Sequence, residues 1–292
     1  MNIVYLNGKF VPKEEATISP MDRGFLFGDG IYEVIPSYAG KYVGLEPHLA
    51  RMKLGLAAIE INHSWSIEEF RALCDELVAR NSVGADGQFE ARNLGLYVQV
   101  TRGVEEKRYH AYSNNMTPTV FLHCFEIPEA PLADKSKAKK FKVDIGDDLR
   151  WQRCDIKTTS LLSNVMHYQQ GIASGYDETI LFDQQGLLTE ASASNVFIVE
   201  NGRVLTPKLD EHKLAGVTRK MLIDILHEHS NLHVEECDID KKRVLTADEV
   251  WLTSATKQIA PVVNIAGQYI NGGEIGDTWL KAQKLFSQYQ YD

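Results

Sequence analysis

The stretch Ile127-Pro128-Glu129-Ala130-Pro131-Leu132-Ala133-Asp134-Lys135-Ser136-Lys137 most constrains how this 292-residue chain folds. Two prolines, few apolar side chains and mixed charge continue neither a helix nor a strand, so the segment reads as a linker. The expected boundaries are therefore 1–126 for an N-terminal α/β domain, 127–137 for the linker and 138–292 for a C-terminal domain. The length suits two domains better than one core. The fold class expected is α+β in two domains, not a regular βαβ series.

Local signals support that division. The start, Met1 to Lys9, reads as a strand and a turn, without the basic and then apolar pattern of a signal peptide. Gly40 and Gly44 bracket a short strand, and Pro47 opens a helix with an apolar stripe of Leu49, Met52, Leu56 and Ile59. Ser66 followed by Glu69 is a capping-box pattern, which starts a second helix burying Phe70, Leu73, Cys74 and Leu77. Leu94, Leu96, Val98 and Val100 alternate with Gly95, Tyr97 and Gln99 as a strand does, and another strand follows at 119–125. Beyond the linker, 179–183 and 187–189 flank a Gln-Gln-Gly turn, and Asn201-Gly202 is a strong two-residue hairpin signal. A helix is expected over 218–229 and a strand over 249–253. Gly24, Gly28 and Gly30 lack the strand-loop-helix context of a dinucleotide fingerprint.

Charge and cysteine usage narrow the function classes. A net charge of -9 argues against a nucleic-acid surface. No run of some eighteen apolar residues suggests a membrane span. Cys74, Cys124, Cys154 and Cys237 form no C-x-x-C pair and read as reduced thiols of a cytoplasmic protein. His227, His229 and His233 do not have H-E-x-x-H spacing and sit at the polar end of a helix, so no metal is expected.

Four features carry chemistry. Lys157 lies in an interior-looking, strand-like run flanked by hydroxyls, where desolvation favours the neutral, nucleophilic amine; the alternative is a surface lysine at a strand end. Glu190, beside small residues at the mouth of a strand, is placed to meet a flat ring, or else is an exposed turn glutamate. Gly216-Val217-Thr218 precedes an amphipathic helix, where N–H groups and a hydroxyl suit a phosphate, although Thr218 alone could cap the helix. Ser254 and Thr256 offer further hydroxyls, and Arg51 a charge-assisted bond. Imine-forming lysine, ring-nitrogen acid, phosphate cradle and a grip for the substrate carboxylate are what a pyridoxal phosphate enzyme requires.

The ordered motifs Asp22-Arg23-Gly24, Phe27-Gly28-Asp29-Gly30-Ile31-Tyr32-Glu33, the Arg51 helix, Arg153-Cys154-Asp155-Ile156-Lys157, Thr189-Glu190, Ser194-Asn195-Val196-Phe197, Gly216-Val217-Thr218-Arg219 and Thr253-Ser254-Ala255-Thr256 with Pro261-Val262 together point to one family. The chain resembles the fold-type IV pyridoxal-phosphate aminotransferases over nearly its whole length. That resemblance implies a C-terminal, β-rich pseudobarrel with helices that binds pyridoxal 5'-phosphate. It makes Lys157 the Schiff-base lysine, Glu190 the partner of the ring nitrogen, and Arg51, Val217 and Thr218 phosphate ligands. Ser194, Asn195, Ser254, Ala255 and Thr256 complete the implied cofactor set. Ala255 departs from the threonine that many relatives place there, leaving its backbone N–H as the donor.

Val100 to His110 resembles the substrate loop of the D-amino acid branch, whose Arg-x-His pair grips the substrate carboxylate with a tyrosine. Arg108, His110 and Tyr32 occupy those positions, and guanidinium forks match carboxylates. The loop is about one residue longer than in well-known relatives, and a solvated charged turn is the competing reading. The resemblance further implies a homodimer whose loop reaches the neighbouring subunit. It implies ping-pong transamination of D-amino acids of the D-alanine and D-glutamate type with 2-oxo acids such as 2-oxoglutarate. An L-branched-chain aminotransferase, an aminodeoxychorismate lyase and a non-catalytic cofactor carrier are the alternatives.

Overall fold

The computed structural model describes residues 2–84 and 87–291. Backbone contacts divide it into two units, Met1–Glu129 with Ile156–Leu161, and Ala130–Asp155 with Leu162–Asp292. The short segment that carries Lys157 thus groups with the first unit although it lies well beyond Ala130 in sequence.

The first unit is one antiparallel sheet covered by two helices. Its elements are β1 (Ile3–Leu6), β2 (Lys9–Pro12), α1 (Arg23–Phe27), β3 (Gly30–Tyr38), β4 (Lys41–Tyr42), α2 (Leu45–Ala58), α3 (Ile67–Asn81), β5 (Asn93–Thr101) and β6 (Thr119–Glu126). The strand order is β2-β1-β6-β5-β3-β4. Helix α2 buries Leu45, Leu49, Met52 and Leu56, and α3 buries Phe70, Cys74 and Leu77, each stripe at helical spacing. These pack on Ile31, Ile35, Leu94, Leu96, Val98, Val100, Val120 and Leu122, the residues that strand alternation turns to one face. The Ser66–Glu69 capping box forms as expected.

Alternation along β3 separates two chemistries. Ile31, Glu33 and Ile35 pair with Val100, Val98 and Leu96, so Glu33 shares the helix-covered face. Tyr32 pairs with Gln99 and turns the other way, where its ring stacks on Tyr97 at 5.6 Å.

The second unit contains β7 (Phe141–Asp147), α4 (Leu162–Ala173), β8 (Glu178–Phe182), β9 (Leu188–Ala191), β10 (Asn195–Glu200), β11 (Arg203–Thr206), α5 (Val217–His229), β12 (Val234–Glu236), α6 (Lys241–Thr246), β13 (Glu249–Ser254), β14 (Gln258–Ile265), β15 (Gln268–Tyr269) and α7 (Asp277–Tyr289). The sheet order is β12-β11-β10-β13-β14-β7-β8-β9, with β15 on β14, and it curls into a half-barrel. This is the expected β-rich second body. The Asn201-Gly202 hairpin forms with both residues at positive φ, 50° and 76°, as a primed turn requires.

Three expectations change. Lys157 is not in a strand but in an irregular connector whose one regular contact is the Ile31–Thr158 bridge. Glu190 is no turn residue; it lies within β9 and is buried. Helices α1, α4, α6 and α7 stand outside the sequence expectations. In α4 the reason is visible, because Leu162, Val165 and Met166 are exposed rather than turned to a core. All four cysteines are free, with Cys74 and Cys154 buried.

Candidate active site

Lys157 is held by its backbone, not by a strand. The Lys157 carbonyl accepts from the Tyr32 N–H at 3.0 Å, and the Thr159 N–H donates to the Gly30 carbonyl at 2.9 Å. The Thr159 hydroxyl donates to the Gly28 carbonyl at 2.9 Å. Gly28 itself has φ 66°, and a Cβ there would strike the Ser160 side chain. Fastened this way, the connector brings Lys157 Nζ to 4.2 Å from the centroid of the Tyr32 ring, where the ring quadrupole attracts an ammonium. Two residues predicted as functional, Lys157 and Tyr32, are therefore adjacent.

On the helix-covered face Arg51 meets a residue that only the fold reveals. Its Nε and Nη2 donate to Glu33 Oε1 and Oε2, both at 2.7 Å, a bidentate fork. His48 Nδ1 lies 2.7 Å from Glu33 Oε2. Burial alone would raise the Glu33 carboxyl, but Arg51 and His48 overcome it and hold the pKa at about 2. Burial lowers the pKa of His48, against the pull of Glu33.

Arg108 and His110 sit together on the exposed loop between β5 and β6. The Arg108 guanidinium carbon is 5.0 Å from the Phe27 ring centroid, and the His110 and Phe27 rings are 5.5 Å apart.

In the second unit, Glu190 is the centre of a buried polar cluster. It accepts from Arg150 Nη1, from Asn195 Nδ2 at 2.9 Å and from the Leu214 N–H at 3.1 Å. The same Arg150 donates through Nε and Nη2 to both oxygens of Asp148, at 2.9 and 2.7 Å. The two acids respond differently. Burial pushes the Glu190 carboxyl up, with Arg150 and the Leu214 N–H opposing, and the net direction is upward. Burial also acts on Asp148, but its Arg150 bonds prevail and lower it. The two acids of the pair are thus shifted in opposite directions, Glu190 upward and Asp148 downward.

Asn195 spends its amide on Glu190 and on the Leu214 carbonyl, 2.9 Å away. It orients Glu190. The Ser194 hydroxyl is 3.3 Å from buried Glu178 and 3.2 Å from Lys257 Nζ. Lys257 and Glu178 form an ion pair at 3.3 Å, tying the Ser254–Ala255–Thr256 turn to β8.

Helix α5 begins at Val217 and Thr218, both 6% exposed, with Gly216 as N-cap and no side-chain cap bond. A Cβ on Gly216 would collide with Asn195 Oδ1, so the backbone approaches closely there. The uncapped start of a thirteen-residue helix presents N–H groups and the positive end of its dipole to an anion. The buried Thr253 hydroxyl has no hydrogen-bond partner within the described chain. Arg219, part of the same motif, is instead committed to the Pro207 carbonyl and Glu236.

Glu33 stands in a sequence motif without a role there, and His48, Asp148, Arg150, Glu178 and Lys257 are absent from the sequence-based candidates. Apart from Asp148 and Arg150, each lacks a local signal, since its partner is distant in the chain. Only Asp148-x-Arg150 had a short-range clue, a carboxylate two residues before an arginine.

A family model described as amino-transferase class IV matches residues 30–265. The chain belongs to the class IV aminotransferases. It is 37% identical over 273 residues to a protein of Bacillus licheniformis named D-alanine aminotransferase, covering 94% of this chain and 92% of that one. A Staphylococcus haemolyticus protein of the same name is 30% identical over 291 residues, 99% of this chain and 98% of the relative. Among solved structures, the branched-chain amino acid aminotransferase of Escherichia coli shares the fold with a TM-score of 0.85 at 20% identity, covering 99% of this chain and 94% of that one. That of Thermoproteus uzoniensis gives 0.82 at 22% identity, with 99% and 94% covered. The fold is therefore fold-type IV, α+β in two domains.

Class IV aminotransferases use pyridoxal phosphate. The residues of this aminotransferase fit the group. A buried carboxylate with an upward-shifted pKa suits a ring nitrogen, and an uncapped helix start beside a close-packed glycine suits a phosphate.

Proposed function

We propose that this class IV aminotransferase transaminates D-amino acids of the D-alanine and D-glutamate type, with 2-oxo acids such as 2-oxoglutarate as acceptors. The observation that carries this reading is its 37% identity, over 94% of the chain, to a relative named D-alanine aminotransferase. When bound, pyridoxal phosphate supplies the carbonyl that takes the amino group and a conjugated ring that delocalises the electron pair left at Cα.

The roles proposed for the chain's own residues are those the family resemblance implies, and their chemistry suits them. Lys157 Nζ is the amine that would hold the cofactor, and when free it would take the substrate Cα proton and give it back, as base and acid in turn. The Tyr32 ring face keeps that nitrogen in place. Glu190 keeps a proton at the ring nitrogen, while Arg150 and Asn195 keep Glu190 in position. Val217, Thr218, Arg51 and the Ser254–Thr256 turn bind the phosphate, with Ala255 contributing its N–H. Arg108, His110 and Tyr32 bind the substrate carboxylate and so decide which enantiomer presents its Cα proton to Lys157. The first half-reaction would consume water and release a 2-oxo acid; the second would pass the amino group to a different 2-oxo acid and release water.

A homodimer is part of this reading. Leu162, Val165, Met166 and Ile172 of α4 are exposed, as are Leu149 and Trp151 before it, an apolar surface suited to a second copy of the chain. Among the described residues no helix is long and apolar enough to cross a membrane.

The test is a chiral half-reaction. Holoenzyme is mixed separately with D-alanine and L-leucine, and loss of cofactor absorbance is followed. Loss with D-alanine is expected; loss with L-leucine alone would transfer the assignment to an L-branched-chain enzyme.

A further inference from the structure

Arg23 belongs to the Asp22-Arg23-Gly24 motif and has no role in the reading above, yet few side chains in the first unit make more bonds. It is 4% exposed and opens α1. Its Nε donates to Asp29 Oδ2 at 2.8 Å. Its Nη1 donates to the Tyr109 carbonyl at 2.7 Å and, more weakly, to the Ala111 carbonyl at 3.5 Å. Its Nη2 donates to the His110 carbonyl at 2.9 Å. One guanidinium therefore gathers three successive carbonyls of the loop that carries Arg108 and His110.

That loop has little else to shape it. Residues 106–115 are all exposed, so apolar burial does not select their conformation. One turn after Arg23, Phe27 lies under both side chains of the pair, 5.0 Å from the Arg108 guanidinium and 5.5 Å from the His110 ring. Arg23 and Phe27 are four residues apart on a single helical turn, so one element fastens the loop backbone and carries its side chains.

Arg23 also controls charge. Glu105, three residues before Arg108, is 3.2 Å from Arg23 Nη1 and takes the Ser113 N–H at 3.1 Å. Held there, Glu105 does not pair with Arg108, which has no carboxylate partner among the described residues and keeps its charge for an incoming anion. Arg102 supports the same corner, forking Asp29 and lying 3.6 Å from the Tyr112 ring centroid.

We propose that Arg23 and Phe27 are positioning residues for substrate-carboxylate recognition: Arg23 sets the backbone of residues 109–111 and diverts Glu105, and Phe27 seats Arg108 and His110. The inference rests on the reading of Arg108 and His110 as the carboxylate grip. It concerns contacts within one chain and holds whichever subunit's site the loop serves.

The experiment uses holoenzyme of wild type, Arg108→Ala, Arg23→Met, Phe27→Leu and the double variant Arg23→Met with Glu105→Gln. KM and kcat for D-alanine, cofactor affinity, thermal midpoint and the half-reaction rate with a carboxylate-free primary amine are measured. For Arg23→Met, KM should rise on the order of tenfold with cofactor affinity and the carboxylate-free rate unchanged. Glu105→Gln in that background should recover part of the loss, because the freed carboxylate no longer pairs with Arg108. A lower thermal midpoint with KM unchanged would make Arg23 a simple loop fastener and overturn the proposal. Where Arg23→Met does not fold, Phe27→Leu decides: a raised KM supports the proposal and an unchanged one overturns it. If Arg108→Ala itself leaves KM unaltered, the carboxylate-grip reading has failed, and this inference with it. If only Arg108→Ala raises KM, the inference alone has failed.

Discussion

Arg150 donates to Glu190 with one nitrogen of its guanidinium and grips Asp148 with two others, so a single buried cation serves two carboxylates. The two acids consequently have different proton affinities although they share a partner. Asp148 anchors the guanidinium, and burial leaves Glu190 with a proton affinity raised above that of an ordinary carboxylate.

Removing Arg150 should therefore damage both fold and chemistry. Arg150→Met leaves two buried carboxylates uncompensated, which costs about 3–5 kcal/mol when one partner of a buried pair is lost. A chemical-denaturation curve measures the stability, and a cofactor titration should show weaker binding together with a changed absorption maximum. Wild-type stability and spectrum in this variant would refute the arrangement.

Lys157→Ala should abolish transamination by more than about a thousandfold, as expected when a covalent nucleophile and proton carrier is removed. The far-UV circular dichroism should not change, since the connector is held by backbone bonds from Lys157 and Thr159 rather than by the lysine side chain. Residual turnover near the wild-type rate would mean that another lysine carries the reaction.

Arg108→Ala should raise KM for D-alanine and 2-oxoglutarate by roughly one to two orders of magnitude, the range of a lost charged hydrogen bond. Cofactor affinity should stay at the wild-type value, because Arg108 is assigned to the substrate alone. Steady-state kinetics with equilibrium cofactor binding separates the two effects.

Glu33 predicts an acid limb of stability. Its pKa is about 2 in the folded chain against an ordinary 4.5, so the unfolded chain takes up the proton first as pH falls. The stabilisation is complete above about pH 4.5 and is lost progressively towards pH 2; the shift corresponds to about 3 kcal/mol. His48 acts in the same direction, since burial lowers its pKa in the fold and the unfolded chain therefore takes up that proton first as pH falls past the ordinary 6.5. Thermal midpoints between pH 7 and 3 should fall more steeply for the wild type than for Glu33→Gln, which starts lower because Arg51 has lost its fork. Parallel profiles would dismiss this account.

Much of the fold was legible because its signals are local. Alternation in 94–100, the apolar stripe of 49–59, the Ser66–Glu69 capping box and the Asn201-Gly202 turn depend on neighbours a few residues apart. The helix start at Val217 and Thr218 was visible for the same reason. Helix α4 was not, since several of its apolar residues face outward and leave no core-facing period to detect.

By itself, the sequence determined which groups are present: an amine at Lys157, a carboxylate at Glu190, a glycine-led helix start and an arginine-histidine pair, in an order that carries the family resemblance. Only the tertiary structure decided what each group faces. Strand alternation puts Tyr32 and Glu33 on opposite faces of β3, giving one to Lys157 and the other to Arg51. Glu190 gains Arg150 across forty residues of chain, and Arg23 reaches carbonyls more than eighty residues away. Proton affinity and orientation depend on burial and on partners within a few ångströms, and those distances come into being only when the chain folds.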